Sequence, residues 1–165
     1  MGARVLVFGY GNPSRGDDAL GPELIRLLEA EQPRRPPWGA LTLLTDFQLQ
    51  PEHALDLDGL DVVLFVDAAA SGPAPYGLTR LAAARDASYT SHALSPAAVL
   101  HVREAILERP AVPAYLLAIR GYGFELGEPM SEAALANLAA ARDAVSDLLD
   151  TEDPLRFLDA HASAA

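Results

Sequence analysis

Five consecutive apolar residues, Val62-Val63-Leu64-Phe65-Val66, end on a single acid, Asp67. A strand with one face in water alternates apolar and polar residues, whereas an unbroken apolar run fits a parallel strand covered on both faces. Such a strand needs sheet neighbours and helices above and below it. It also delivers one carboxylate at its C-terminal edge.

The rest of the chain supplies those partners. Arg4 to Phe8 is a short apolar run that enters a turn at Gly9, Gly11, Asn12 and Pro13. Leu20, Leu24, Leu27 and Leu28 then recur at helical spacing, with Asp17 and Asp18 where acids favour a helix N-terminus. A Pro-rich loop from Gln32 to Trp38 leads to a second apolar run, Leu41 to Leu44, closed by Thr45 and Asp46. Pro51 to Leu57 fits a short helix and Gly77 to Leu81 a strand. Ser95-Pro96 is an N-cap and first-turn pair for a helix expected to reach about Leu107. Ala114 to Ile119 reads as the next strand and Gly121 to Pro129 as a loop. Ser131 to Leu149 reads as a helix with Leu135, Leu138, Val145, Leu148 and Leu149 on its apolar stripe. The alternation predicts a single-domain three-layer α/β sandwich, a mostly parallel twisted sheet with helices on both faces. Residues 1–150 are expected to form that domain and 151–165 a loosely docked C-terminal tail.

Composition narrows the function. Half of the 165 residues are hydrophobic and 21% are charged, the balance of a globular chain. The net charge is −11 and all 12 basic residues are arginines spread along the chain, so no basic stripe exists to meet a phosphate backbone. Nucleic acid is not an expected partner. The absence of cysteine excludes disulfides, thiolate metal sites and a cysteine nucleophile, so any metal must be held by nitrogen and oxygen. No apolar run approaches the ~20 residues of a membrane span, and the N-terminus lacks the pattern of a secretory signal. No membrane partner is expected, and the cytoplasm is the expected location.

Three features fall at or beyond strand ends, where open α/β sheets place their sites. They are Gly9-Tyr10-Gly11-Asn12 with Asp17 and Asp18, the Val66-Asp67-Ala68 strand end, and Ser91-His92 ahead of a capped helix. Two carboxylates and an imidazole form an oxygen and nitrogen ligand set for a divalent ion such as nickel or zinc. Each part also has a plainer reading. Asp17 or Asp18 alone reads as a helix-dipole or capping residue, Asp67 as a turn former, and His92 as a loop residue. His53, His101 and His161 lie on presumed helices or in the tail and carry little functional weight.

The segment GYGNPSRGDDALG after a strand resembles the opening motif of the hydrogenase maturation proteases. DVVLFVDAAASGPAPYG resembles that family's central strand ending in Asp-Ala, and YTSHALSPAAVL its Ser-His segment before a helix. RGYGFELGEPMSEAALANL is similar to the family's final strand-to-helix passage. Four motifs in order across most of the chain make a specific signal, although each alone is weak.

The resemblance implies a peptidase that removes the C-terminal extension of a hydrogenase large-subunit precursor once nickel has been inserted. The family's metal-contacting and catalytic positions fall on Asp18, Asp67 and His92, with Asp17 the neighbouring acid. Many relatives have Glu where this chain has Asp18. The nickel belongs to the substrate in this scheme, and zinc or cadmium can occupy the same ligand set in the isolated protein. Relatives of the better-known type carry a Gly-Gly-Thr loop after the second strand, where this chain reads Asp46-Phe47-Gln48-Leu49-Gln50-Pro51-Glu52. Gln48, Leu49 and Glu52 are therefore candidate specificity residues, together with Asp17. A metal could polarise the scissile carbonyl or activate water, with Asp17 or Asp18 accepting a proton. No Gly-x-Ser-x-Gly nucleophile turn is present.

Two other readings share these residues. A non-catalytic chaperone could bind nickel or the large subunit through the same three ligands. A dinucleotide-binding unit would use Gly9-x-Gly11 and the acid Asp46, but position 14 is Ser, and Asp17 and Asp18 stand where a pyrophosphate would need a helix N-terminus.

Overall fold

The apolar run that dominates the sequence lies inside a six-stranded sheet. The computed structural model describes residues 2–85 and 94–164. Its strands are β1 (Val5–Tyr10), β2 (Leu41–Asp46), β3 (Val62–Ala69), β4 (Tyr76–Arg80), β5 (Ala114–Arg120) and β6 (Ser163–Ala164), in the spatial order β2-β1-β3-β5-β4-β6. β2, β1, β3 and β5 are mutually parallel, and β4 runs antiparallel to β5. The expected mostly parallel α/β sandwich is the observed architecture.

Alternation along the strands divides the core in two. Val62, Leu64 and Val66 join Val5 and Val7 against Leu20, Leu24, Ile25 and Leu28 of α1 (Leu20–Glu31), with Leu138, Val145 and Leu148 of the later C-terminal helix in the same cluster. On the opposite face Val63 and Phe65 join Leu6 and Phe8 under Val99 and Leu100 of α2 (Pro96–His101) and Leu57 of the 3-10 turn Pro51–Leu57.

Ser95 caps α2 as expected, accepting the Ala98 N–H at 3.1 Å. The regular helix stops at His101, however, and Val102–Ile106 widen into a π-helical turn. This turn carries Arg103 inward, where its buried guanidinium pairs with Asp58 at 2.8 Å and reaches the Pro110 carbonyl. The helix α3 (Glu132–Asp150) starts at the Ser131 cap, but Leu135 stands 48% exposed. Its buried stripe runs instead through Ala134, Leu138, Ala141, Val145 and Leu148.

The last residues also depart from the expected loose tail. Asp153 accepts the Arg156 N–H and Pro154 opens α4 (Pro154–His161), which buries Leu158. Asp159 of α4 receives the hydroxyl of the fully buried Tyr115 and pairs with Arg80 at 2.6 Å, and β6 then pairs with the edge of β4. Among the described residues no helix is long and apolar enough to cross a membrane.

Candidate active site

The Gly-rich segment after β1 is shaped by internal packing. Gly11 has a φ of +147°, and a Cβ there would overlap the Asp18 carbonyl. A Cβ on Gly9 would meet the Gly21 carbonyl, and one on Gly21 would lie 2.6 Å from the Tyr10 oxygen and 2.8 Å from the Val66 oxygen. These glycines let the start of α1 press onto the carboxyl ends of β1 and β3. The 3-10 turn Gly16–Ala19, which carries both acids, is thereby folded back over the sheet edge.

The two adjacent acids face different tasks. Asp17 is fully buried. It accepts the N–H groups of Tyr122, Gly123 and Ser131 at 2.7, 3.0 and 2.7 Å and the Ser131 hydroxyl at 2.8 Å. Burial pushes its carboxyl up, but those donors together outweigh burial and hold it below the ordinary carboxylate value. With four donors filling its oxygens, Asp17 is not placed to contact a substrate or take a proton, which corrects that expectation. Asp18 is only partly buried, and its Oδ2 accepts the Asn12 N–H at 2.8 Å, closing the loop.

Asp67 ends the apolar stretch of β3 with its Oδ1 accepting the Ala68 N–H at 2.8 Å. Burial pushes its carboxyl up to about 6; the Ala68 N–H opposes the rise, the Asp18 charge adds to it, and a hydrogen bond from Tyr10 lowers it. Asp18, in the turn folded over the sheet edge, and Asp67, at the end of β3, therefore share one electrostatic environment. Tyr10, the last residue of β1, is the third member of this group. It was visible only as a letter in the glycine motif, although the alternation Leu6, Phe8, Tyr10 puts it on the face of Asp67.

The β2 edge holds a separate pair. His53 Nδ1 accepts the Gln50 N–H at 2.8 Å, which leaves the proton on Nε2 facing Asp46 Oδ2 at 3.1 Å. Asp46 Oδ1 accepts the Phe47 N–H at 2.7 Å. Both Asp46 oxygens are engaged and both glycines pack against the chain itself, so neither part of the dinucleotide reading finds support.

Several solved structures of one class of enzyme share this architecture. The structure is similar to the NiFe hydrogenase maturation protease HycI from Thermococcus kodakarensis, with a TM-score of 0.70 and 19% identity over 90% of this chain and 94% of that one. It is similar to the hydrogenase maturating endopeptidase HybD from Escherichia coli, with a TM-score of 0.68 and 20% identity over 88% and 91% of the two chains. A hydrogenase 2 maturation peptidase from a Thaumarchaeota archaeon gives a TM-score of 0.59 and 22% identity over 89% and 98%. The chain has the fold of the NiFe hydrogenase maturation proteases. No protein-family model matches it, and no curated protein matches it by sequence.

Within this maturation-protease fold, Asp18 and Asp67 come together and Asp17 turns away. His92 lies outside the described residues. Among the described residues no group of three or more His, Asp or Glu side chains converges as metal ligands. Of the specificity candidates, Leu49 is a core residue, 1% exposed and bridged to Leu94, so it cannot reach a substrate. Gln48 is half-buried and Glu52 exposed on the same loop. Phe47 beside them is 66% exposed and was not singled out by the sequence; a bulky apolar residue directly after a strand-ending acid is the signal that could have found it.

Proposed function

We propose that the protein is an endopeptidase that removes the C-terminal extension of a nickel-loaded hydrogenase large-subunit precursor in the cytoplasm. The observation that carries this reading is the pairing of Asp18, in the turn folded back over the sheet edge, with Asp67 at the carboxyl end of β3, in a chain with the maturation-protease fold.

A partly buried acid whose ionised form is disfavoured beside a second acid is stabilised by an arriving cation. Carboxylate oxygens with one imidazole suit a borderline divalent ion, and zinc or cadmium would satisfy the same set in the isolated protein. In this reading the ion is the substrate's own nickel. Asp18 and Asp67 bind it jointly with His92, so a precursor that lacks nickel is a poor substrate. The loop carrying Phe47, Gln48 and Glu52 faces solvent at the end of β2 and would meet the flanking polypeptide.

Intact-mass measurement of the precursor, with and without nickel loading, tests this directly. A discrete C-terminal loss is expected only with nickel and the wild-type protein, and not with His92→Ala. No loss from a nickel-loaded, correctly matched precursor would sink the endopeptidase reading. Binding that requires Asp67 and His92 without loss of mass would leave a nickel- or precursor-binding chaperone in its place.

A further inference from the structure

β1 presents Leu6 and Phe8 to the face of the sheet where β3 presents Val63 and Phe65. Phe8 and Phe65 are partners in the strand register, and their ring centroids lie 6.2 Å apart. Two residues further along each strand, alternation returns Tyr10 and Asp67 to that same face, side by side. Tyr10 is partly buried against this apolar cluster, so its ring is held by packing. Its hydroxyl stands next to the Asp67 carboxyl.

We propose that Tyr10 is a positioning residue for the reaction assigned above, its hydroxyl fixing the Asp67 carboxyl so that the remaining lone pairs face the substrate's metal. The proposal rests on the reading of Asp18 and Asp67 as ligands of that metal. The Ala68 main chain donates to Oδ1 of the Asp67 carboxyl at 2.8 Å, and the phenol of Tyr10 stands beside the same group. A carboxyl held by a main-chain donor and flanked by a packed phenol has little room to swing away from its site. Partners that orient a metal ligand in this way are typically worth about 10–100-fold in metal affinity or activity.

Tyr10→Phe keeps the packed ring and removes only the hydroxyl. Ni2+ is titrated calorimetrically into wild type, Tyr10→Phe and Asp67→Asn, and the same three proteins are assayed on nickel-loaded precursor by intact mass. The expected result for Tyr10→Phe is Ni2+ binding weaker by about tenfold or more, or a similar fall in kcat with KM within about twofold, at an unchanged melting temperature. Wild-type behaviour in both readouts overturns the proposal. A loss accompanied by a lowered melting temperature also overturns it, because that marks a packing role. The titration needs no precursor, so a wild type that binds Ni2+ without cutting removes the endopeptidase reading while Tyr10 is still decided. A wild type that neither binds Ni2+ nor cuts overturns both.

Discussion

Ser131 gives both its backbone N–H and its hydroxyl to the Asp17 carboxylate, at 2.7 and 2.8 Å, across 114 positions of sequence. The same hydroxyl accepts the Ala134 N–H at 3.2 Å and so caps α3, while Tyr122 and Gly123 bring the loop after β5 to the same acid. One side chain therefore ties the turn carrying Asp18 to two later elements. Asn at position 17 would keep one acceptor oxygen and turn an amide toward donors. Each buried donor left unpaired costs about 1–3 kcal/mol, so Asp17→Asn is expected to lose about 3–5 kcal/mol in urea unfolding at neutral pH. Because the folded carboxyl is held below its ordinary value of 3.8, its contribution is present above that value and is lost as pH falls through the folded one. The gap between wild type and variant should narrow on acidification, and a constant gap would contradict this account.

Asp67 works in the opposite direction. Its folded pKa of about 6 stands above the ordinary 3.8, so the fold favours the neutral acid. The stabilisation associated with that proton is complete below about pH 4 and is lost as pH rises through 6. At pH 7 the ionised group is a liability, and each pKa unit corresponds to about 1.4 kcal/mol. Asp67→Asn keeps an acceptor for the Ala68 N–H and is expected to raise stability at pH 7 by on the order of 2 kcal/mol while abolishing cleavage. Thermal melts of both proteins at pH 4 and pH 7 check this. A variant no more stable at pH 7 than at pH 4, relative to wild type, would remove the electrostatic cost assigned to Asp67.

What the sequence made legible was what depends on short-range periodicity. The unbroken run Val62–Val66 required a doubly covered strand, and β3 is one, with β1 and β5 beside it. Asp67 was legible because a polar residue ending such a run has few places to go except the sheet edge. Asp17 was not, because its donors lie more than 100 positions away and nothing local distinguishes it from Asp18. Leu49 and Leu135 went astray for related reasons. A leucine in a polar loop gives no period, and on α3 alanines fill positions where the helix lies close, leaving Leu135 outside the stripe. Asp153-Pro154 is a cap and first-turn pair of the same kind as Ser95-Pro96, but four residues on, Leu158 supplies little periodicity, so α4 passed for a tail.

The glycine at position 21 is expected to govern the site without touching a substrate. In an ordinary helix Gly→Ala adds about 1 kcal/mol of stability, because alanine is the better helix former. Here the new Cβ would lie 2.6 Å from the Tyr10 oxygen and 2.8 Å from the Val66 oxygen, both of them main-chain atoms at the ends of β1 and β3. Neither strand can yield without breaking the sheet, so α1 must lift. Overpacking of this kind costs about 1–3 kcal/mol, which outweighs the propensity gain. The turn Gly16–Ala19 runs directly into α1, so lifting the helix also draws Asp18 away from Asp67. Gly21→Ala is therefore expected to lower the melting temperature and, well below that temperature, to cut more slowly than its stability alone explains. Gly39→Ala, whose Cβ would lie at an ordinary 3.4 Å from Pro36, is the control expected to behave as wild type. Full activity in a folded but destabilised Gly21→Ala protein would show that the spacing of the two acids tolerates movement of α1.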